Sequence, residues 1–294
     1  MNRSSSPVIY GEVLFDCFPD GSRVLGGAPF NVAWHCQAFG LEPLFISRVG
    51  DDELGKEILE AMKSWGMDTR WLQIDSVHKT GVVDVSFTGA EPSYDIVENS
   101  AWDFIELSGI PDISQHSLVY HGSLALRNPV SKEGLAKLVN QYKDSIFVDI
   151  NLRTPWWSLQ QIKNVLNNAH WLKLNQEELS LLVPEESDLN KQAQYLVKIY
   201  KPELIVVTQG DKGAIAFTEL DTFSVEPEKA NTVIDTVGAG DAFTSVLLLG
   251  IHKAWPVQKT LQRAQEFASS VVGLRGATTQ DKNFYQPFIK DWSL

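Results

Sequence analysis

Cysteine is scarce in this chain: Cys17 and Cys36 are the only two among 294 residues. They have neither metal-ligand spacing nor the density of a disulfide framework, so a reducing compartment is expected. Positive charge is also in short supply. Lys and Arg number 25 against 37 Asp and Glu, a formal net charge of −12, which argues against a general nucleic-acid or membrane-surface binder because either needs a basic face. A local positive site for a small anion is still compatible with that balance. No uncharged run approaches the ~18 residues of a membrane helix. The apolar N-terminal stretch is interrupted by Glu12 and Asp16, and no small-residue cleavage site follows, which makes a poor signal peptide. A soluble, cytoplasmic protein is expected. Internal repeats, low-complexity segments and long polar linkers are missing too, so one domain spanning residues 1–294 is the expectation.

What is present is ordinary globular composition, 44% hydrophobic and 21% charged, with enough apolar residues for a large core. Short β-branched runs alternate with amphipathic stretches. "PVIYGEVLFD" reads as a strand, "FNVAWHCQAFG" as a helix stopped by Gly40, "PLFISRVG" as a strand, and "DDELGKEILEAMKSWG" as a helix that starts on acidic residues and stops at Gly66. Between about Trp71 and Asp103 the rhythm breaks. There "KTGVVDVSFTG" and "PSYDIVENSAWDFI" look like two strands joined by the turn residues "GAEP". The alternation then resumes through "SLVYHGS", "SIFVDIN", "HWLKLN" and "LIVVTQG". This pattern predicts an α/β fold with a largely parallel central sheet, helices on both faces and a separate β flap. In such sheets ligands sit beyond the carboxyl ends of the strands.

The most informative segment is "DTVGAGDAFTSVLLLG". Gly238, Ala239 and Gly240 leave their backbone N–H groups unobstructed, and the apolar run after them makes a buried helix whose positive end lies at those amides. That is an anion hole of phosphate size. Asp241, in the first turn, could take a proton from a hydroxyl attacking a phosphoryl group held there. Taken alone, an acidic helix start after a glycine turn explains the same residues. "GDKGA" lacks the spacing and the Ser/Thr of a Walker loop, and no G-x-G-x-x-G begins at Gly238. Near the N-terminus, Asp16 follows the first strand, and Gly26 and Gly27 precede Asn31. A carboxylate and a carboxamide beside bare amides suit the vicinal hydroxyls of a sugar. A glycine turn with Asn31 as a helix cap is the plainer alternative.

Together, "LGGAPFNVA", "VGDDELG", "KLNQEE", "VTQGDKGA" and "DTVGAGDAF" resemble, in that order, the motifs of the ribokinase-like carbohydrate kinases, also called the phosphofructokinase B family. The resemblance covers nearly the whole chain. It implies a ribokinase-like fold with a small β lid formed by about residues 71–103 and part of 12–26, which closes over the sugar and often pairs between subunits, so a homodimer is plausible. By the same resemblance Asp241 is the catalytic base, Gly238, Ala239 and Gly240 form the anion hole, and Asp16, Gly27 and Asn31 bind sugar. Asn175 and Glu178 form the N-x-x-E element that orders Mg²⁺ and its waters around the phosphates of ATP, and Thr208 and Gly210 lie on the nucleotide side. Asp235, Gly276 and Ala277 lie where relatives bind a monovalent cation, often K⁺, and border the adenine.

Within that family "VDINLRTPWW" and "YDIVENSAWD" look most like bacterial fructokinases. Arg153 could reach phosphate or substrate as a planar cationic fork, or make a surface salt bridge. An acid-sugar substrate would need a cation for its carboxylate, from Arg127 or Arg153. Ribokinase, 2-keto-3-deoxygluconate kinase and nucleoside kinase activities share the same motifs, as would a silent sugar-binding relative. The scattered histidines, including His121, form no H-E-x-x-H pattern, and Trp156 and Trp157 read as packing. Asp51 to Glu53 reads as a helix start rather than a metal site.

Overall fold

The computed structural model describes residues 6–88, 91–107, 118–142, 145–227 and 234–294. From the N-terminus, Val8–Tyr10 (β1), Leu14–Cys17 (β2) and Arg23–Gly26 (β3) precede the helix Ala28–Ala38 (α1). Next come Leu44–Gly50 (β4), Glu53–Trp65 (α2), Leu72–Asp75 (β5), Gly81–Thr88 (β6) and Glu91–Ile96 (β7). Val119–His121 (β8), Pro129–Gln141 (α3), Ile146–Asp149 (β9), Leu159–Leu166 (α4), Trp171–Asn175 (β10) and Gln176–Leu182 (α5) follow. The chain continues with Leu189–Tyr200 (α6), Leu204–Thr208 (β11), Ala214–Phe217 (β12), Thr222–Val225 (β13), Ala239–His252 (α7), Val257–Val271 (α8) and Lys282–Trp292 (α9).

The large sheet has the order β13-β12-β11-β10-β9-β8-β1-β4-β5. Its strands from β11 to β5 are all parallel, while β12 and β13 form an antiparallel edge. Side-chain alternation divides the core between the two faces. Ile9, Phe147 and Val206 point into one cluster, shared with α1, α2, α7, α8 and α9. Val8, Tyr10, Val148 and Val207 point into the other, shared with α3, α4, α5 and α6. This is the α/β architecture expected from the alternating pattern.

Helix boundaries follow local chemistry. Asp52 caps α2 by accepting from the Gly55 N–H at 2.9 Å, and Gly66 ends it at φ 82°, so the "DDE" segment is a helix start. Helix α7 is buried from Ala242 to Gly250, as an apolar all-round helix must be. It packs on α8 through Gly250, where an added Cβ would fall 2.5 Å from Thr260 Oγ1. Gly250→Ala is therefore expected to lower stability by about 1–3 kcal/mol through overpacking, measured by urea unfolding; a neutral result would mean that Thr260 swings aside freely.

A second sheet, β3-β2-β6-β7, stands apart from the first. Its second strand pair begins at Gly81 rather than near residue 71, because Leu72–Asp75 pairs in parallel with β4 at the edge of the large sheet and buries Leu72 in its core. The strand expected to run through "AWDFI" stops at Ile96. Ala101–Phe104 is instead a turn of 3₁₀ helix, started by reciprocal bonds between Ser100 and Asp103. Gly89 and Ala90 of the expected "GAEP" turn lie outside the described residues. No described helix is long and apolar enough to cross a membrane.

Candidate active site

Several of the residues singled out in the sequence come together around the start of α7. Gly238 is the N-cap of α7 at φ 80°, a left-handed conformation that favours glycine. Glycine is also needed there for close approach, since a Cβ would fall 2.5 Å from Ala277 Cα. The amides of the first turn, from Ala239 to Asp241, have no intrahelical acceptor four residues back within the helix. Gly240, in that turn, is exposed.

Asp241 leaves this turn toward α1, and its Oδ2 accepts from Asn31 Nδ2 at 2.8 Å. Burial raises the Asp241 carboxyl from its ordinary 3.8 to about 6, opposed by the Asn31 hydrogen bond, raised further by the Asp149 charge and lowered by Lys173 and Arg153. Asn31 is therefore not the helix cap. Gly27 takes that position at φ 105°, where a Cβ would strike the Glu12 carbonyl oxygen at 2.7 Å.

The second sheet contributes Asp16 from β2. Its carboxyl is raised to about 6, chiefly by burial, with Arg153 lowering it and Asp235 raising it. Asp16, Arg153, Asp235 and Asp241 thus share one electrostatic neighbourhood, assembled from both sheets. Arg153 is exposed in the loop after β9 and, among the described residues, donates to its neighbour's carbonyl, Leu152 O, at 3.2 Å. Among the described residues no carboxylate lies within ion-pair distance of it.

Arg127 behaves differently from the sequence expectation. Its guanidinium grips Asp103 with bonds of 2.7 Å to both oxygens, donates to the carbonyls of Ile96 and Val97, and lies over Trp102 and Trp156 at 4.1 and 4.8 Å. It is a strut at the end of β7, fully engaged and closed to an acid sugar. Trp156 is packing, as expected.

Asn175 ends β10 level with Thr208 at the end of β11. Asn175 Oδ1 accepts from the Glu178 N–H at 2.8 Å, and Glu178 Oε2 accepts from the Asn175 N–H at 2.9 Å. The N-x-x-E element is thus a capping box for α5. The second oxygen of Glu178 accepts from the Leu152 N–H at 2.7 Å, tying the loop of Arg153 to α5. Burial raises the Glu178 carboxyl. Gly210 has φ 61° with open space around it, a backbone requirement rather than a packing one.

Asp235 bridges two loops, accepting from Val237 N–H at 2.9 Å and Gly276 N–H at 3.1 Å. Gly276 also approaches Val24 of the second sheet. No group of three or more His, Cys, Asp or Glu able to hold a metal ion occurs among the described residues.

Sequence reasoning passed over a buried ion pair beneath α7. Lys173 Nζ lies 2.7 Å from Asp149 Oδ2, and the Thr244 hydroxyl lies 2.9 Å from the same oxygen and 2.9 Å from the Gly240 carbonyl. The ammonium also borders Gly240. The available signal was one charge in each of two apolar strands, since Lys173 and Asp149 are register partners. Glu12 was passed over as well. It is 2% exposed, one carboxyl oxygen has no hydrogen-bond partner among the described residues, and burial raises it to about 7.

A helix N-terminus, a carboxylate with a raised pKa and a polar flank of Asp16 and Asn31 together suit phosphoryl transfer to a hydroxyl. The comparisons agree. Residues 16–283 match the pfkB family carbohydrate kinases. A fructokinase of Klebsiella pneumoniae is 29% identical over 257 residues, covering 83% of each chain. Among solved structures, a double-mutant fructokinase of Vibrio cholerae O395 with fructose, ADP and potassium bound superposes with a TM-score of 0.84 at 28% identity, over 97% of this chain and 99% of that one. An uncharacterized sugar kinase of Pyrococcus horikoshii in complex with ATP gives 0.81 at 28% identity, over 92% and 93%. On the site, the fold and the length of the match, this chain belongs to the pfkB family of carbohydrate kinases.

Proposed function

We propose that this sugar kinase is a fructokinase, transferring the γ-phosphoryl group of ATP to the 6-hydroxyl of fructose. The observation that carries the reading is Asp241, held by Asn31 at the amide-lined start of α7 with its carboxyl raised to about 6. A base with that pKa is ionised at neutral pH yet more basic than a free carboxylate. Asp16, Gly27 and Asn31 flank the sugar hydroxyls and direct the terminal CH₂OH at Asp241. The sugar oxygen attacks phosphorus in line, Asp241 takes its proton, and the amides of Gly238, Ala239 and Gly240 stabilise charge on the transferring group. Arg153, without an ion-pair partner among the described residues, is positioned to reach phosphate or sugar.

Asn175, Thr208, Gly210, Gly276 and Ala277 form the nucleotide side. Glu178 is buried and each of its oxygens accepts a backbone N–H, an arrangement that suits Mg²⁺ held through phosphates and waters; bound there, it would neutralise phosphate charge. Each Asp235 oxygen accepts one N–H and keeps lone-pair capacity between its two loops, which suits a monovalent cation such as K⁺. The second sheet, which brings Asp16 to the site, acts as the lid, and its pairing with a second copy would make a homodimer. Relatives named fructokinase, one of them solved with fructose bound, support reading the substrate as fructose rather than ribose or 2-keto-3-deoxygluconate. The acid-sugar alternative loses Arg127 to Asp103 and is left with Arg153 alone.

Fructose is expected to exceed ribose, glucose and 2-keto-3-deoxygluconate in kcat/KM by about 10-fold or more, because the wrong hydroxyl pattern leaves buried polar groups unpaired. Coupled ADP-release assays over the four sugars, with phosphorus NMR of the product, test this. A 1-phosphate product, or a better rival sugar, would overturn the fructokinase reading and leave the family unchanged.

A further inference from the structure

Helix α1 touches the site twice. Asn31 holds Asp241, and one turn later His35, wholly buried, reaches the loop behind the anion hole. Its Nε2 lies 3.0 Å from the Ala277 carbonyl, and its Nδ1 lies 3.0 Å from the Tyr285 hydroxyl. A carbonyl only accepts, so Nε2 carries the proton and Nδ1 accepts from Tyr285. Burial lowers the His35 pKa to about 4, which keeps the ring neutral and the tautomer fixed at ordinary pH. Trp34, its neighbour on α1, donates to the Thr279 carbonyl at 3.0 Å. The segment from Gly276 to Thr279 is thus gripped from α1 and α9.

That segment in turn supports the anion hole. Ala277 lies against Gly238 so closely that no side chain fits between them, and Gly276 is tied through Asp235 to Val237. Gly238 sets the direction in which the first-turn amides of α7 point. We propose that His35 is a positioning residue for phosphoryl transfer, holding Ala277 against Gly238 so that the α7 amides stay aimed at the transferring group. The proposal rests on the kinase reading above. Nothing in the chemistry requires His35 to touch substrate.

The test compares His35→Leu, His35→Gln and Tyr285→Phe in the full chain. Small misplacements of catalytic groups cost rate steeply, so His35→Leu is expected to lower kcat by about 10-fold while KM for fructose and ATP stays within about 2-fold. Hydrogen exchange at Gly238 to Asp241 should quicken in the same variant. His35→Gln places an amide N–H near the Nε2 position and should recover most of kcat and of the protection. A folded Leu variant with unchanged kcat and exchange overturns the proposal, as does a Gln variant no better than Leu. If the Leu variant does not fold, Tyr285→Phe decides: it keeps the His35 ring but leaves Nδ1 without its donor and loosens the seating of the ring against Ala277, so kcat and protection at Gly238 to Asp241 should both fall, and no change in either overturns the proposal. Failure of the kinase reading looks different, because wild-type protein would then release no ADP with any sugar while the exchange contrast persisted.

Discussion

Asp241→Asn is expected to reduce kcat by about 10²-fold or more while fructose and ATP still bind. The substitution keeps size, shape and an oxygen able to accept from Asn31 Nδ2, which now lies 2.8 Å from the carboxylate. What it removes is the site that takes the proton. Wild-type kcat/KM should also fall as pH drops through about 6, where the carboxyl protonates, and the Asn variant should lack that limb. A variant with near-normal turnover would exclude Asp241 from the proton transfer.

The same substitution should not cost stability. The folded protein holds the Asp241 proton more tightly than an unfolded chain does, at about 6 against an ordinary 3.8. Between those values the native state binds more protons, so the wild type loses stability as pH rises through this window. Below about 4 the penalty is absent, and above about 6 it is complete. Asp241→Asn should therefore unfold at the same or a higher temperature than wild type at pH 7, with the difference vanishing toward pH 4. Inactivity together with unchanged or greater stability separates lost chemistry from lost fold.

How much of this was legible in the sequence depends on how far apart the cooperating residues lie. Gly238, Ala239, Gly240 and Asp241 are consecutive, and a glycine turn before an apolar run has a local meaning that tertiary context does not reverse. The alternation of strands and helices was legible for the same reason. The edge strand Leu72–Asp75 was not, because a short alternating run looks the same in either sheet, and only its pairing with β4 decides. Arg127 was misread because its fate is set by Asp103, 24 residues away, and by two tryptophans from separate segments. Asn175 and Glu178 show a different difficulty: the spacing that reads as a nucleotide motif is also that of a capping box, which the structure forms, so sequence alone does not divide the two readings.

The pair passed over in the sequence carries the largest expected loss of stability. Asp149 and Lys173 are both almost fully buried, joined at 2.7 Å, and stand side by side on β9 and β10. Asp149→Leu strands the ammonium in the interior, and breaking a buried pair from one side costs about 3–5 kcal/mol. Lys173→Met should cost less, because the Thr244 hydroxyl still donates to the carboxylate that remains. The double variant removes both charges and their desolvation, so most of the lost stability should return, a coupling that a double-mutant cycle in urea measures directly. Activity should not return with it. The Lys173 ammonium borders Gly240 and lowers the pKa of Asp241, so its loss removes positive charge from the end of α7 where phosphoryl charge would collect. A double variant as unstable as Asp149→Leu would show that the strands need the ion pair itself, whereas one that is stable and fully active would reduce the pair to packing.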